Sequence, residues 1–347
     1  MSKTTSLWRG LALVGMALGL AACASATSSP GAASASCAHT YTLKYTNTEA
    51  LPTPEAKAMY SFQTLVEHGT NGCVKVTLYP GGVLASASEE LPQVESNVAQ
   101  MTPVNGATLS TYEPKYNFFQ IPMIFSDASS VENGLKSQPV ATLDNAFLAK
   151  TGLRVLAWET LGFVQFLNSV HPIVKPSDVA GLKFRIIPGS QPLQQSLTDL
   201  GADPVPVVSA EMYEGEQSGL INANEEPPSI FQQYKDYENL KYMTVLNYQY
   251  NPEAIVINNS AFTALPKSYQ QVVTNAAVES SNQEVTGVDQ QNDAAERTFA
   301  QNGVQVTTLT SAQRQQFLNA IRGYLKSTVS TYGPALFEAF GVNPNQF

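Results

Sequence analysis

The chain has 347 residues, 43% hydrophobic and 14% charged, with 19 Lys and Arg against 28 Asp and Glu for a formal net charge of −9. A chain of this length buries a large core and suits two lobes, and its composition excludes a fibrous or disordered polymer. Sparse, scattered positive charge excludes a nucleic-acid binder, which needs clustered Lys and Arg to neutralise phosphates, and the many Gln, Asn, Ser and Thr suggest an uncharged polar surface suited to an acidic medium.

Lys3 and Arg9 precede an apolar stretch from Gly10 to Leu20, and small residues follow, the order of a secretory signal spanning residues 1–22. Eleven apolar residues cannot cross a bilayer core that needs about 20. Leu20-Ala21-Ala22-Cys23 resembles the lipobox of bacterial lipoproteins, which implies an acylated Cys23 and a membrane anchor; plain cleavage after Ala22 or Ala24 is the other outcome. Of the three Cys, an acylated Cys23 leaves Cys37 and Cys73 as a pair, each just before a strand-like run. A bridge there contributes about 3–4 kcal/mol on the chain-entropy reading, with two buried thiols as the alternative. Residues 23–39 are rich in Ala and Ser and read as a flexible tether.

Tyr41–Tyr45 reads as a strand, Pro54–His68 as an amphipathic helix stopped at Gly69, and Val74–Tyr79 as a second strand, together a βαβ unit with a parallel pair. A helix from Ser88 to Gln100, a buried run Met101–Ala107 and the apolar segment Phe118–Phe125 follow. Further strands are expected at Arg154–Trp158, Val164–Asn168, Lys183–Ile187, Asp203–Val207 and Ala254–Asn258, and helices at Leu193–Leu200 and Ala210–Ser218. This alternation predicts an α/β fold. Lys267–Gln301 holds no Pro and one Gly, and predicts a helix of about 50 Å that crosses both lobes. Ser311–Phe347 reads as one further helix and a tail.

Chemistry-bearing motifs are scarce. The three His residues, His39, His68 and His171, form no zinc pattern, and the sequence contains no nucleophile elbow, P-loop or dinucleotide fingerprint. Glu225-Glu226 on an extended chain points to opposite sides and makes a poor catalytic pair. The reading is therefore a binding module, which needs a cleft, aromatic walls and a few oriented polar groups, with no cofactor and no metal.

The order of motifs resembles the DctP-type solute-binding subunit of TRAP transporters over nearly all of Tyr41 to Phe347. Val74-Lys75-Val76-Thr77-Leu78-Tyr79-Pro80 followed by Gly81-Gly82-Val83-Leu84, then Phe119-Gln120-Ile121-Pro122-Met123-Ile124-Phe125, are similar to two of its segments. The most specific likeness is Pro176-Ser177-Asp178-Val179-Ala180-Gly181-Leu182-Lys183-Phe184-Arg185, continued by Leu200-Gly201-Ala202-Asp203-Pro204. The resemblance implies a two-lobed periplasmic-binding-protein-like fold with a long helix spanning both lobes. Lobe I is expected at 40–162 plus 251–291 and lobe II at 163–250 plus 292–347. It also implies a monomeric receptor, at the periplasm or cell envelope, that delivers a small organic solute to TRAP permease membrane subunits.

In that family the Arg at the position of Arg185 pairs with a ligand carboxylate, and a guanidinium fork suits that task. Asn105 stands where the family has a ligand-facing polar residue, and Tyr248 and Tyr250 fall near its hinge-side segment. Two departures bear on the solute. Val164 stands where many members carry a second Arg, and Glu226 stands where the family has an Asn. Together they lower the local charge by about two units, which disfavours a dianion. Either Glu226 contacts a cationic or hydroxyl-rich part of the solute while Arg185 takes one carboxylate, or Glu226 pairs with Arg185 and the solute is neutral. A surface-anchored hydrolase is the competing class.

Overall fold

The computed structural model describes residues 37–347. The expected signal peptide, Cys23 and most of the tether lie outside the described residues. In chain order the elements are β1 (Tyr41–Thr46), α1 (Pro54–Gly69), β2 (Val74–Tyr79), α2 (Ala87–Glu95), β3 (Met101–Asn105), α3 (Gly106–Tyr112), α4 (Ala128–Leu135), α5 (Gln138–Thr151) and β4 (Leu153–Asn168). There follow β5 (Lys183–Ile186), α6 (Gln191–Asp199), β6 (Asp203–Pro206), α7 (Met212–Ser218), β7 (Ala223–Glu226), α8 (Pro228–Tyr234), β8 (Tyr242–Asn258), α9 (Asn259–Ala264) and α10 (Lys267–Gln301). The chain closes with β9 (Gln305–Thr308), α11 (Ser311–Ala320), α12 (Arg322–Tyr332) and α13 (Pro334–Ala339).

Local chemistry sets these boundaries. The Thr53 hydroxyl accepts from the Ala56 amide and Pro54 opens α1, whose buried stripe Ala56, Met59, Phe62 and Val66 has helical spacing. β1 and β2 pair in parallel as the βαβ pattern requires, and Cys37 is bonded to Cys73 at the start of both strands, their Cα atoms 5.4 Å apart. The second helix stops at Glu95, short of the expected Gln100, because Asn97 turns into the left-handed region at φ 61°.

One sheet runs through the molecule in the order β2-β1-β3-β8-β4-β7-β5-β6, with β9 added beside β8. The runs expected as separate strands at Arg154–Trp158 and Val164–Asn168 are one 16-residue strand, β4, with irregularities between Val155 and Ala157, Thr160 and Gly162, and Val164 and Phe166. Ala254–Asn258 is likewise the end of a 17-residue strand, β8. The first half of the chain pairs with one end of these two strands and β7 and β9 with the other.

The 35-residue α10 has the limits its composition predicts. Its Val272 packs on Gly69 of α1 and its Gly287 on Pro54. Farther along, Asn292 bonds the Leu161 carbonyl of β4 and accepts from the Ser229 amide of α8. The C-terminal segment is three helices, not one, interrupted at Ile321 and at Gly333, whose φ of 81° ends α12 before Pro334 opens α13. Phe337 and Phe340 from this segment pack on Phe118, with ring centroids 5.1 and 5.4 Å away.

Candidate functional site between the two halves of the sheet

The C-terminal ends of β1 and β3 on one side and β5 and β7 on the other point toward the middle of β4 and β8. Strand ends converging from two sheet halves leave a crevice of the kind in which α/β proteins bind ligands. Arg185, near the end of β5, is 1% exposed. Its Nε donates to the Val207 carbonyl at 3.0 Å, one terminal nitrogen donates to the Ser209 hydroxyl at 3.0 Å, and the other contacts Glu226 Oε1 at 2.5 Å. Of the two arrangements open to the sequence, the structure shows the pair between Arg185 and Glu226. Parallel pairing of β5 with β7 at Phe184 and Ala223 brings the two side chains together.

Beside this pair lies a hollow of about 30 Å³ walled by Asn105, Gln120, Val164, Ser190, Glu226, Gln249 and Asn251, with Glu225 behind them. The hollow is small and lies where residues of both halves of the sheet meet. Asn105 ends β3 and also caps α3, its side-chain oxygen accepting from the Thr108 amide at 2.9 Å. It also forms part of a second hollow of about 80 Å³ with Asn47, Thr48, Glu49, Glu90 and Glu253. The two hollows therefore share one wall.

Tyr248 and Tyr250 are placed elsewhere. Successive strand residues face opposite sides, and Gln249 and Asn251 take the side toward the hollow. Tyr248 is fully buried, packs on Phe166 at 4.5 Å and donates to the Ser196 hydroxyl, and Tyr250 packs on Phe163 at 4.9 Å. Both lie on β8 as expected, on the face turned away from this hollow. Sequence reading passed over Gln120, Ser190, Gln249 and Asn251, and Glu90 with Glu253, because uncharged amides carry no motif and isolated acids read as surface. Gln120 and Ser190 are joined by a 2.7 Å hydrogen bond across the crevice.

Burial raises the Glu226 carboxyl above the usual range despite the opposing pull of Arg185, and raises Glu225 further, with Glu226 adding repulsion. Burial also pushes Glu90 up to about 8. Two larger hollows lie nearby. A groove of about 770 Å³ runs along α10 between the starts of α1 and α8, and one of about 320 Å³ sits beside Trp158 and Tyr250. The first is broadly open, with Thr53 and Lys57 on one side and Ser229, Gln232 and Gln233 on the other, and the second is built mainly from the first half of the chain. Among the described residues no group of His, Cys, Asp and Glu is arranged to hold a metal ion, and no helix is long and apolar enough to cross a membrane.

Two sheet halves joined by long strands and a long helix, with a polar crevice between them, define a solute-binding receptor. The family described as bacterial extracellular solute-binding protein, family 7, matches residues 46–331, and the chain belongs to this family, the DctP type. Its members bind solutes and are not enzymes. Among its relatives, a C4-dicarboxylate-binding periplasmic protein from Rhodobacter capsulatus is 30% identical over 69% of this chain and 72% of its own. A 2,3-diketo-L-gulonate-binding periplasmic protein from Escherichia coli is 27% identical over 76% and 79%. The chain is also similar to the crystal structure of a TRAP periplasmic solute-binding protein from Ochrobactrum anthropi, at 27% identity, a TM-score of 0.81, and 89% and 96% coverage. Another, from Ralstonia eutropha with (S)-2-acetolactate bound, is 26% identical with a TM-score of 0.77, covering 86% and 98%.

Proposed function

We propose that this receptor captures a small, hydroxyl-rich organic solute with at most one carboxylate between its two halves and delivers it to the membrane subunits of a TRAP-type permease. The observation that carries this reading is the Arg185–Glu226 pair beside a hollow whose uncharged polar walls are Asn105, Gln120, Ser190, Gln249 and Asn251, with Val164, Ile187 and Leu193 as its apolar part. Hydroxyls satisfy those amides from either half. A second carboxylate would meet Glu226, Glu225 and no further cation. Acetolactate, the solute bound by the Ralstonia eutropha protein, is a hydroxylated monoacid and belongs to the class this wall suits. Its single carboxylate reaches Arg185 either by displacing Glu226 or by accepting a hydrogen bond from a protonated Glu226, which burial favours.

Lobe I in this reading is 40–162 plus 251–291 and contributes Asn105. Lobe II is 163–250 plus 292–347 and contributes Arg185 and Glu226. Tyr248 and Tyr250 hold the wall in shape from behind. Closure is favoured only by as much as the solute prefers the closed form, so it must touch both halves. The reading also keeps Cys23 as a lipid anchor with residues 23–39 as its tether. Support for the anchor is the Leu20-Ala21-Ala22-Cys23 sequence and the Cys37–Cys73 bond, which leaves Cys23 unmatched.

Thermal-shift screening of the full chain against hydroxy monoacids, polyols and dicarboxylates tests the solute class. A hydroxylated monoacid at 100 times its dissociation constant is expected to stabilise by about 2.7 kcal/mol. Succinate stabilising more than any hydroxy monoacid contradicts the proposed role of Val164 and Glu226.

A further inference from the structure

We propose that the solute carries an ammonium group, seated at the lobe I end of the crevice among the carboxylates of Glu49, Glu90 and Glu253. The inference rests on the receptor reading above and adds the charge of the solute to it. The hollow of about 80 Å³ at that end receives Glu49 from the loop after β1, Glu90 from α2 and Glu253 from β8, and no Lys, Arg or His lines it. Glu90 is 6% exposed and its Oε1 is buried without a hydrogen-bond partner. None of the three acids belongs to an ion pair among the described residues.

Burying ionised carboxylates without a cation is costly, so these acids hold their protons until a positively charged donor arrives to pair with them. Because Asn105 walls both hollows, a solute with a hydroxyl on Asn105 places its neighbouring substituent among these acids. Glu55 on α1, Glu159 on β4 and Glu284 on α10 also act on this region and are acids too. Lys57 is the cation that acts on Glu55. Tyr45 lies beneath them and is likewise surrounded by their negative charge.

An ammonium group that ionises these acids expels protons, so its affinity rises with pH while the amine itself stays protonated. Burial of Glu90 and mutual repulsion at Glu253 support that direction.

The test is calorimetric titration of the full chain with probes paired so that an ammonium replaces a hydroxyl: ethanolamine with ethylene glycol, serine with glycerate, and glucosamine with glucose. Acetolactate and succinate serve as acid controls. In any pair that binds, the ammonium member is expected to bind at least about tenfold tighter, and ethanolamine or serine to bind more tightly at about pH 8 than at about pH 6. Glu253→Gln, checked for an unchanged fold by circular dichroism, is expected to remove the preference while retaining the hydroxyl member. A hydroxyl member binding equally or better overturns the inference, as does acetolactate or succinate binding when no pair does. The first outcome, and acetolactate binding alone, leave the receptor reading standing; succinate binding alone leaves a solute receptor but overturns the limit of one carboxylate. No heat from any probe overturns the receptor reading as well.

Discussion

Removing the Arg185 guanidinium leaves Glu226 buried without its cation and orphans the Val207 carbonyl and Ser209 hydroxyl that it serves. Arg185→Ala is therefore expected to lower stability by about 3–5 kcal/mol in chemical denaturation, besides any loss of solute affinity. A guanidinium free in a cleft would cost affinity alone, with little change in melting temperature, and the sequence favours that simpler expectation. Replacing both partners by apolar residues of similar volume, Arg185→Met with Glu226→Leu, is expected to regain most of the loss. A double variant as unstable as Arg185→Ala would contradict this account of the pair. The motif and its departure singled out Arg185 and Glu226, and the structure places them in contact. That contact was not legible in the sequence, because it depends on strand register between β5 and β7. The placement of the two Tyr residues was hidden for a related reason: alternation along β8 is clear, but which face meets the small hollow is decided by the rest of the sheet.

At the scale of elements, the link between the halves is concentrated where β4 bulges and α10 passes behind it. Gly162 sits at φ 89°, and a Cβ there would lie 2.5 Å from the Asn292 amide nitrogen, which bonds the Leu161 carbonyl. Gly162→Ala is expected to cost about 1–3 kcal/mol from backbone strain, with further loss if Asn292 is displaced. The check is thermal unfolding together with solute affinity, and a neutral result in both would remove the junction from the account. At the other end of the sheet, reduction of the Cys37–Cys73 bond, which closes a segment with a sequence separation of 36, is expected to cost about 3–4 kcal/mol. Comparing unfolding with and without reductant measures it. The long helix was legible because an uninterrupted run without Pro has few alternatives. The continuity of β4 was hidden, since Glu159-Thr160-Leu161-Gly162 reads as a turn between two strands when it is a bulged crossing. Helices α4 and α5 went unread beside the aromatic segment before them, and the C-terminal helices were merged because the break at Gly333 has no distinct period.

For the whole molecule, acids brought together from distant parts of the chain set the response to pH. Burial raises Glu55 to about 7, and Glu90 and Glu159 to about 8. Each therefore holds its proton more tightly folded than unfolded, so the native state binds more protons and stability falls as pH rises from the usual carboxylate range toward about 8. Melting temperature is expected to decline from about pH 5 toward pH 9; a rise across that interval would contradict the assignment. The acids Glu49, Glu55, Glu90, Glu159, Glu253 and Glu284 are scattered in sequence, so only the fold assembles them.

The capture of a solute by closure of the two halves is tested most directly by a crystal structure of the chain with its best-binding solute. Density is expected between Asn105 and Glu226, touching Gln249 or Asn251 from β8 and reaching toward Glu90 and Glu253. Density confined to the hollow beside Trp158 or to the open groove along α10, with the Asn105 crevice unchanged, would contradict that expectation.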